Sequence, residues 1–532
     1  LWPAPLATAA EAPPISFDLD IMPVLTVRGC NQGACHGKAR GQNGFQLSLL
    51  GFDADFDYAA IAMNARGRRV SPAAPQRSLF LKKATGQVPH GGGQRIDPDG
   101  ADYQLLTNWI AQGLPRSIAN EPKLARIELS PESKFLQPGE AVPLLVRAIY
   151  SDGSECDVTA RTQYQSSEAA LVSVSNAGVV KAGALPGEAT IMARYSNIIA
   201  TCHIAIPQAG SVPDELYTQL PRNNFIDDLA WSKLQSLGIT PSEPCDDAKF
   251  MRRVHIDLIG RLPTPDEVRA FLADTDSSKR ARLVDRLLER PEYADHFAAK
   301  WADLLRPNPY RVGIKAVLNY DQWIRESFRQ NKPYDQFVRE LVSAQGSTWE
   351  NGATVLFRDR REPEEVTTLV SQLFLGIRLE CAKCHHHPFE KWSQDDFYSF
   401  AAYFGRIGHK GTGLSPPISG GEEIVFAATK GEVKHPLTQQ ALAPRTLFGS
   451  SPEMTERTDP RAALAEWITT NDNPYFAQVM VNRTWADLMG RGLVEPVDDL
   501  RATNPPTNGP LLVALAKDFQ QAKFDVKHLL RT

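Results

Sequence analysis

Cys381-Ala382-Lys383-Cys384-His385 is a C-x-x-C-H pentapeptide, and the rest of the 532-residue chain can be read outward from it. Two thiols at this spacing can add to the two vinyl groups of one porphyrin, and the residue after the second thiol places an imidazole under the iron. The pattern therefore marks Cys381 and Cys384 as thioether anchors and His385 as proximal ligand of a covalently bound c-type haem. Zinc is the rival chemistry. Cys381, Cys384 and the run His385-His386-His387 offer N and S ligands for a tetrahedral ion, although structural zinc sites usually draw on a second knuckle elsewhere. His386 and His387 lie too near His385 to reach the opposite face of the same iron. His409, beyond a helix-like stretch from Asp395 to Phe404, is the first choice as distal ligand, with His255, His296, Met480, Met489 and an open position as alternatives.

The other close cysteine pair is again followed at once by histidine, in Cys30-Asn31-Gln32-Gly33-Ala34-Cys35-His36. Four residues between the thiols still allow both to reach one porphyrin if the loop bulges, and Gly33 with Ala34 keeps that bulge free of bulky side chains. On this reading Cys30 and Cys35 are anchors and His36 is the proximal ligand; a structural disulfide is the alternative. Val88-Pro89-His90-Gly91-Gly92-Gly93 follows, a loop whose glycines let the backbone approach a flat ligand and could bring His90 to the far face of the iron. Otherwise His90 is a solvated loop histidine. A helix over 103–112, with Leu105, Leu106, Trp109 and Ile110 on one side, would wall the group.

Composition is that of a folded protein, with 42% hydrophobic and 23% charged residues. A formal net charge of −4 gives no global drive toward nucleic acid. No run approaches the roughly eighteen apolar residues of a spanning helix. Leu1 to Ala10, with Ala7-Thr8-Ala9 as a small-residue cleavage pattern, resembles the tail of a secretory signal and so points to a periplasmic or otherwise exported protein; the alternative is an unstructured Ala/Pro leader. Of the seven cysteines, Cys156, Cys202 and Cys245 fall outside the haem-like pairs, so at most one disulfide is possible among them.

From about Ala125 to Pro207 the pattern has period two. Val142, Leu144, Val146, Ala148 and Tyr150 alternate with Pro143, Leu145, Arg147 and Ile149, and a second run follows through Ile198, Ala200, Cys202, Ile204 and Ile206. These predict short antiparallel strands of a β-sandwich. After a linker, Thr264-Pro265-Asp266-Glu267 reads as a helix start with a capping box, and Leu283, Val284, Leu287 and Leu288 recur at helical spacing. A Gly/Pro-rich connection over about 405–452 is either a loop over a haem edge or mobile. Arg252, Arg253, Arg378 and Lys383 are candidate partners for haem propionates, or simply a solvated helical face.

Several of these stretches carry a resemblance. His36-Gly37, Pro75 to Leu79, the His90 loop and Trp109 to Gly113 resemble the small cytochrome-c-like domain of planctomycete-type multidomain cytochrome c proteins. Pro138-Gly139, Asp157-Val158-Thr159 and Val174 to Val180 resemble the bacterial immunoglobulin-like group-two domain. Phe250 to Thr264 and Cys381 to Tyr398 look like a helical domain of unknown function that accompanies the cytochrome-like domain. Asn473 to Phe476, Val481 to Trp485 and Gly490 to Pro506 look like its partner family, which ordinarily runs beyond Thr532. Relatives often place methionine where His90 stands, so the resemblance implies bis-histidine ligation here and a lower potential than a His/Met pair gives.

The expected architecture is multidomain and mainly α. It comprises a leader (1–14), a small c-type cytochrome domain (15–118), an all-β Ig-like sandwich (124–207), a larger mainly α-helical haem domain (213–410), the connection (411–452) and the start of a second, incomplete helical domain (453–532). The expected function is an exported dihaem cytochrome, with two covalently bound haems, relaying electrons to or from a redox partner protein. Two alternatives stand beside it: a peroxidase- or oxidase-type haem enzyme with an open iron at the Cys381 to His385 haem, and a haem-bearing subunit or scaffold of a larger envelope assembly. No Walker loop, dinucleotide-binding glycine motif or HExxH site is present.

Overall fold

The computed structural model describes residues 14–210, 212–413, 420–455 and 458–532, so the signal-like leader and Pro416-Pro417 of the connection lie outside the described residues. The chain divides into two compact units, one of residues 1–207 with 388–391 and one of 208–387 with 392–532.

The first unit opens with short helical turns around an aromatic centre. Phe17 and Trp109 lie 5.4 Å apart between ring centroids, and Tyr58 meets Phe17 edge-on at the same distance. The indole of Trp109, fully buried, donates to the Pro115 carbonyl at 3.0 Å, so its one polar atom is satisfied inside the core. Truncating such a side chain to alanine typically costs about 3–5 kcal/mol. The helix Ala101–Ala111 buries Leu106, Trp109 and Ile110 and leaves Leu105 at the margin of the core.

Beyond it the period-two alternation has the burial it predicts through Ala148 and breaks at its end, where Ile149 is buried and Tyr150 only partly so. Val142, Leu144, Val146 and Ala148 are buried and Leu145 is exposed. Pro143 has no N–H to donate, and the run breaks there into strands Ala141–Pro143 and Leu145–Tyr150, which join different sheets. Sheets of three, four and three strands result. In the four-stranded sheet the short strand Ser133–Phe135 pairs in parallel with Ile198–Ile206, which pairs antiparallel with Gly187–Tyr195. Cys202 is buried and Cys156 exposed, and both are free thiols.

The second unit is mainly helical. Thr264 caps the helix Pro265–Ala273, and Glu267 completes the capping box as its sequence predicts. Leu283, Leu287 and Leu288 face the core from helix Lys279–Leu288. Trp301 is buried against Phe337 and Tyr334, at 5.2 and 5.6 Å. The connection after residue 405 is not simply a loop: Glu423–Ala427 pairs with Ile407–Gly411 and with Gly346–Ser347 in a small antiparallel sheet.

The expected fold class is therefore corrected. The chain is 44% helix and 14% strand, with its strands spread over several small sheets. Residues 15–118 form brief helical turns in which a small cytochrome domain is not evident. The expected Ig-like sandwich is replaced by three small sheets, because Pro143 and strands as short as three residues divide the segment instead of extending two facing layers.

Candidate functional site

In the first unit the Cys30 to His36 loop is held by its own backbone. Helix Met22–Val27 ends at Arg28, and Gly29 adopts a φ of +74°, turning the chain so that the Cys30 N–H donates to the Leu25 carbonyl at 2.8 Å. The loop then closes on itself. His36 N–H reaches the Cys30 carbonyl at 3.0 Å and Gly37 N–H the Gln32 carbonyl at 3.0 Å. The bulge between the thiols is made possible by Gly37 and not by Gly33. A Cβ at Gly37 would lie 1.9 Å from the Asn31 carbonyl oxygen, whereas one at Gly33 would meet only Leu49 at 3.8 Å. Both thiols are free, with Cys35 buried and Cys30 partly so. Burial, reinforced by the neighbouring Cys35, pushes the Cys30 thiol up to about 12, so it stays protonated at neutral pH.

His36 and His90, 54 positions apart in sequence, are brought together. Their ring centroids lie 6.2 Å apart with planes 9° from parallel. Each ring is oriented through Nδ1, which lies 2.9 Å from the Phe45 carbonyl in His36 and 2.8 Å from the Gly93 carbonyl in His90. A carbonyl can only accept, so Nδ1 carries the proton and the Nε2 lone pair is available as a ligand. Two imidazoles on opposite sides of one metal, each at a metal–nitrogen distance of ~2 Å, hold their centroids roughly 6 Å apart. Burial, opposed by the Phe45 carbonyl and reinforced by the His90 and Arg69 charges, keeps His36 below the usual histidine range and favours the neutral imidazole.

Gly91 and Gly93 leave room around His90, and Gly92 permits a close approach of the backbone to its ring. Cβ atoms at Gly91 and Gly93 would meet nothing within 4 Å, and one at Gly92 would stand 3.1 Å from His90 Cε1 and 3.4 Å from its Nε2. The donor set, two free thiols beside two near-parallel imidazoles with Nδ1 committed to carbonyls, is chemically suited to a covalently anchored haem.

In the second unit, Cys381 and Cys384 are exposed on and just after the short helical turn Glu380–Lys383. The helix Gln394–Ala401, begun by a Ser393/Asp396 capping box, packs on this turn. Gln394 Nε2 donates to the Lys383 carbonyl at 3.0 Å and the Tyr398 hydroxyl to the same oxygen at 3.3 Å. The Gln394 N–H reaches His386 Nδ1 at 3.3 Å. His385 Nδ1 lies 2.6 Å from the His386 carbonyl, which orients that ring. His387 is buried, its N–H donating to the Trp392 carbonyl at 2.8 Å.

His409 sits on the strand Ile407–Gly411 with Nδ1 3.6 Å from the Glu423 carboxylate of the neighbouring strand. Among the other distal candidates, His255 is buried with Nδ1 on the Met251 carbonyl, Met480 belongs to the core, and Met489 is exposed. Arg378 is engaged with Asp498 at 2.5 Å and Arg253 with the Leu488 carbonyl at 3.0 Å. Among the described residues, no group of three or more His, Cys, Asp or Glu is gathered closely enough to hold a metal ion.

Sequence reasoning missed the groups that orient these candidates: Phe45 and Arg69 at the first site, Gln394 and Tyr398 at the second. One signal was legible. Asn43-Gly44 is the dipeptide of a tight hairpin turn, and both residues have positive φ, 50° and 73°, with Gln42 and Phe45 paired across it. That turn sets the Phe45 carbonyl that His36 uses.

Residues 225–409 match the family model PSCyt2, described as a protein of unknown function (DUF1549), and residues 460–532 match PSD1, a protein of unknown function (DUF1553). Both are named as planctomycete cytochrome-type families. No curated protein matches the chain. The first match contains Cys381, Cys384, His385 and His409; the Cys30 to His90 site lies outside both. No helix among the described residues is long and apolar enough to cross a membrane.

Proposed function

We propose that this chain is an exported electron-transfer protein holding two covalently attached c-type haems, one at Cys30, Cys35, His36 and His90 and one at Cys381, Cys384 and His385. The observation that carries the reading is the His36/His90 pair, nearly parallel at 6.2 Å, with both Nδ1 atoms committed to carbonyls. When bound, such a group supplies reversible one-electron exchange at its iron.

The protein's part is anchoring, orientation and burial. Cys30 and Cys35 would provide the thioether sulfurs at the first site, and their loop, closed by the His36 N–H on the Cys30 carbonyl, holds His36 with Nδ1 on the Phe45 carbonyl. His90, held on its glycine-rich turn by the Gly93 carbonyl, would supply the second imidazole and limit access of exogenous ligands. At the second site Gln394 and Tyr398 hold the Lys383 carbonyl, the middle of the attachment loop, so that Cys381, Cys384 and His385 keep one geometry. A redox partner protein is the expected recipient or donor of the electrons. A first site with a histidine for each axial position suits relay, not substrate turnover.

Denatured intact mass of the protein expressed with a c-type maturation system tests the reading. Two covalent haem masses are expected, mapping to the peptides containing Cys30 and Cys381. A denatured chain carrying no haem overturns it.

A further inference from the structure

We infer that Arg69 is a positioning residue for His36, acting through the Asn43-Gly44 turn; the inference deepens the proposed bis-histidine site and rests on that reading for its redox consequence. Its guanidinium is used as a clamp. Nη2 donates to the Gly44 carbonyl at 2.7 Å, while Nη1 donates to the carbonyls of Ala60 at 2.8 Å and Asn64 at 3.2 Å, so one planar fork ties the turn to the helical segment beneath it.

The same guanidinium lies 4.7 Å above the Phe45 ring, and that ring lies 4.5 Å from the His36 imidazole. The Phe45 carbonyl in turn takes the His36 Nδ1 proton. Arg69 therefore governs both contacts that fix the imidazole plane, one through the carbonyl next to Gly44 and one through the face of the ring. Its three oxygen partners are all neutral carbonyls, and the charged neighbour that acts on it is another cation, Arg68. An uncompensated cation this close to the site favours the reduced, less positive state of a bound iron.

The test uses the full chain with 15N-labelled histidine, kept reduced, and compares Arg69→Lys, Arg69→Gln and Phe45→Leu. The wild type is expected to show a slowly exchanging Nδ1 proton on His36. Exchange should quicken up to ~10-fold in both Arg69 variants, because lysine keeps the charge but not the fork. Phe45→Leu, which keeps the carbonyl and removes the ring, provides a variant that does not depend on replacing the half-buried arginine, and it should loosen the ring to a smaller degree. Potentiometry separates charge from geometry. The equilibrium constant for reduction at this site should fall ~10-fold in Arg69→Gln and stay within about 2-fold in Arg69→Lys. Wild-type exchange in all three variants overturns the positioning role. Because the proton-exchange readout does not need a haem, a chain without covalent haem by mass would overturn the cofactor assignment while leaving the Arg69 result decisive.

Discussion

The imidazoles of His36 and His90 lie 6.2 Å apart and 9° from parallel, each fixed by a carbonyl acceptor at its Nδ1. This arrangement gives His90 a defined effect when altered. His90→Met exchanges an imidazole for a thioether and should raise the midpoint potential of this haem, since a His/Met pair favours the reduced iron. His90→Ala should open the position, so that the reduced protein takes up one additional equivalent of carbon monoxide per chain relative to wild type. Potentiometric titration and carbon monoxide difference spectra check both; an unchanged potential in the methionine variant would remove His90 from the ligand set.

Gly33, inside the bulge, and Gly37, just after it, make opposite demands. Gly37→Ala would drive a Cβ to 1.9 Å from the Asn31 carbonyl oxygen, a backbone atom with no room to yield, while Gly33→Ala meets only an ordinary contact with Leu49. Gly37→Ala should therefore destabilise the first unit by about 1–3 kcal/mol or more and lower haem occupancy at Cys30 and Cys35. Gly33→Ala should leave both within error. Local hydrogen exchange and haem-peptide mapping give the comparison.

At the second site the Lys383 carbonyl accepts from Gln394 and Tyr398 together. Removing one donor leaves the other in place, so Tyr398→Phe should cost about 0.5–1.5 kcal/mol of local stability, and the double variant Gln394→Ala/Tyr398→Phe more than either alone. The haem mapped to Cys381 should be the one lost, with the Cys30 haem retained. Equal loss at both sites in the double variant would show that the clamp does not act on its own loop.

How much of this could be read from the chain follows from what kind of signal each feature leaves. The two Cys/His motifs are local in sequence and stand out at once. The burial of Val142, Leu144, Val146 and Ala148 follows from period two, because side-chain alternation is a property of any single strand. Which sheet each strand joins is set by pairing partners far away and by Pro143, and that is where the sandwich expectation failed. The carbonyls of Phe45, Gly93 and Lys383 do the orienting at both sites, and a backbone acceptor has no residue type to betray it. Arg69 was invisible for the same reason, since its partners are three carbonyls and a ring. The helix start at Thr264 was legible because a capping box is made of side chains at fixed spacing.

Asp57 links the first site to pH. It is fully buried, its carboxylate accepting from the Ser48 N–H and from the Ser48 hydroxyl at 2.7 Å, and Ser48 follows Leu47, whose N–H donates to the His36 carbonyl at 2.8 Å. Burial, only partly offset by the Ser48 hydrogen bonds, pushes its carboxyl up to about 6. In the unfolded chain the same group titrates near ~3.9. Between those values the folded protein holds a proton that the unfolded chain has released, so stability falls as pH rises through the window and levels off above it. About two pKa units correspond to ~3 kcal/mol. Asp57→Asn keeps the shape, still accepts from the Ser48 N–H and removes the ionisation. Hydrogen exchange over residues 48–58 should therefore slow at pH 7 in the variant relative to wild type, with the difference closing as pH approaches 4. A wild-type protein whose local stability in this segment is flat from pH 4 to 7 would show that Asp57 is not held in its neutral form.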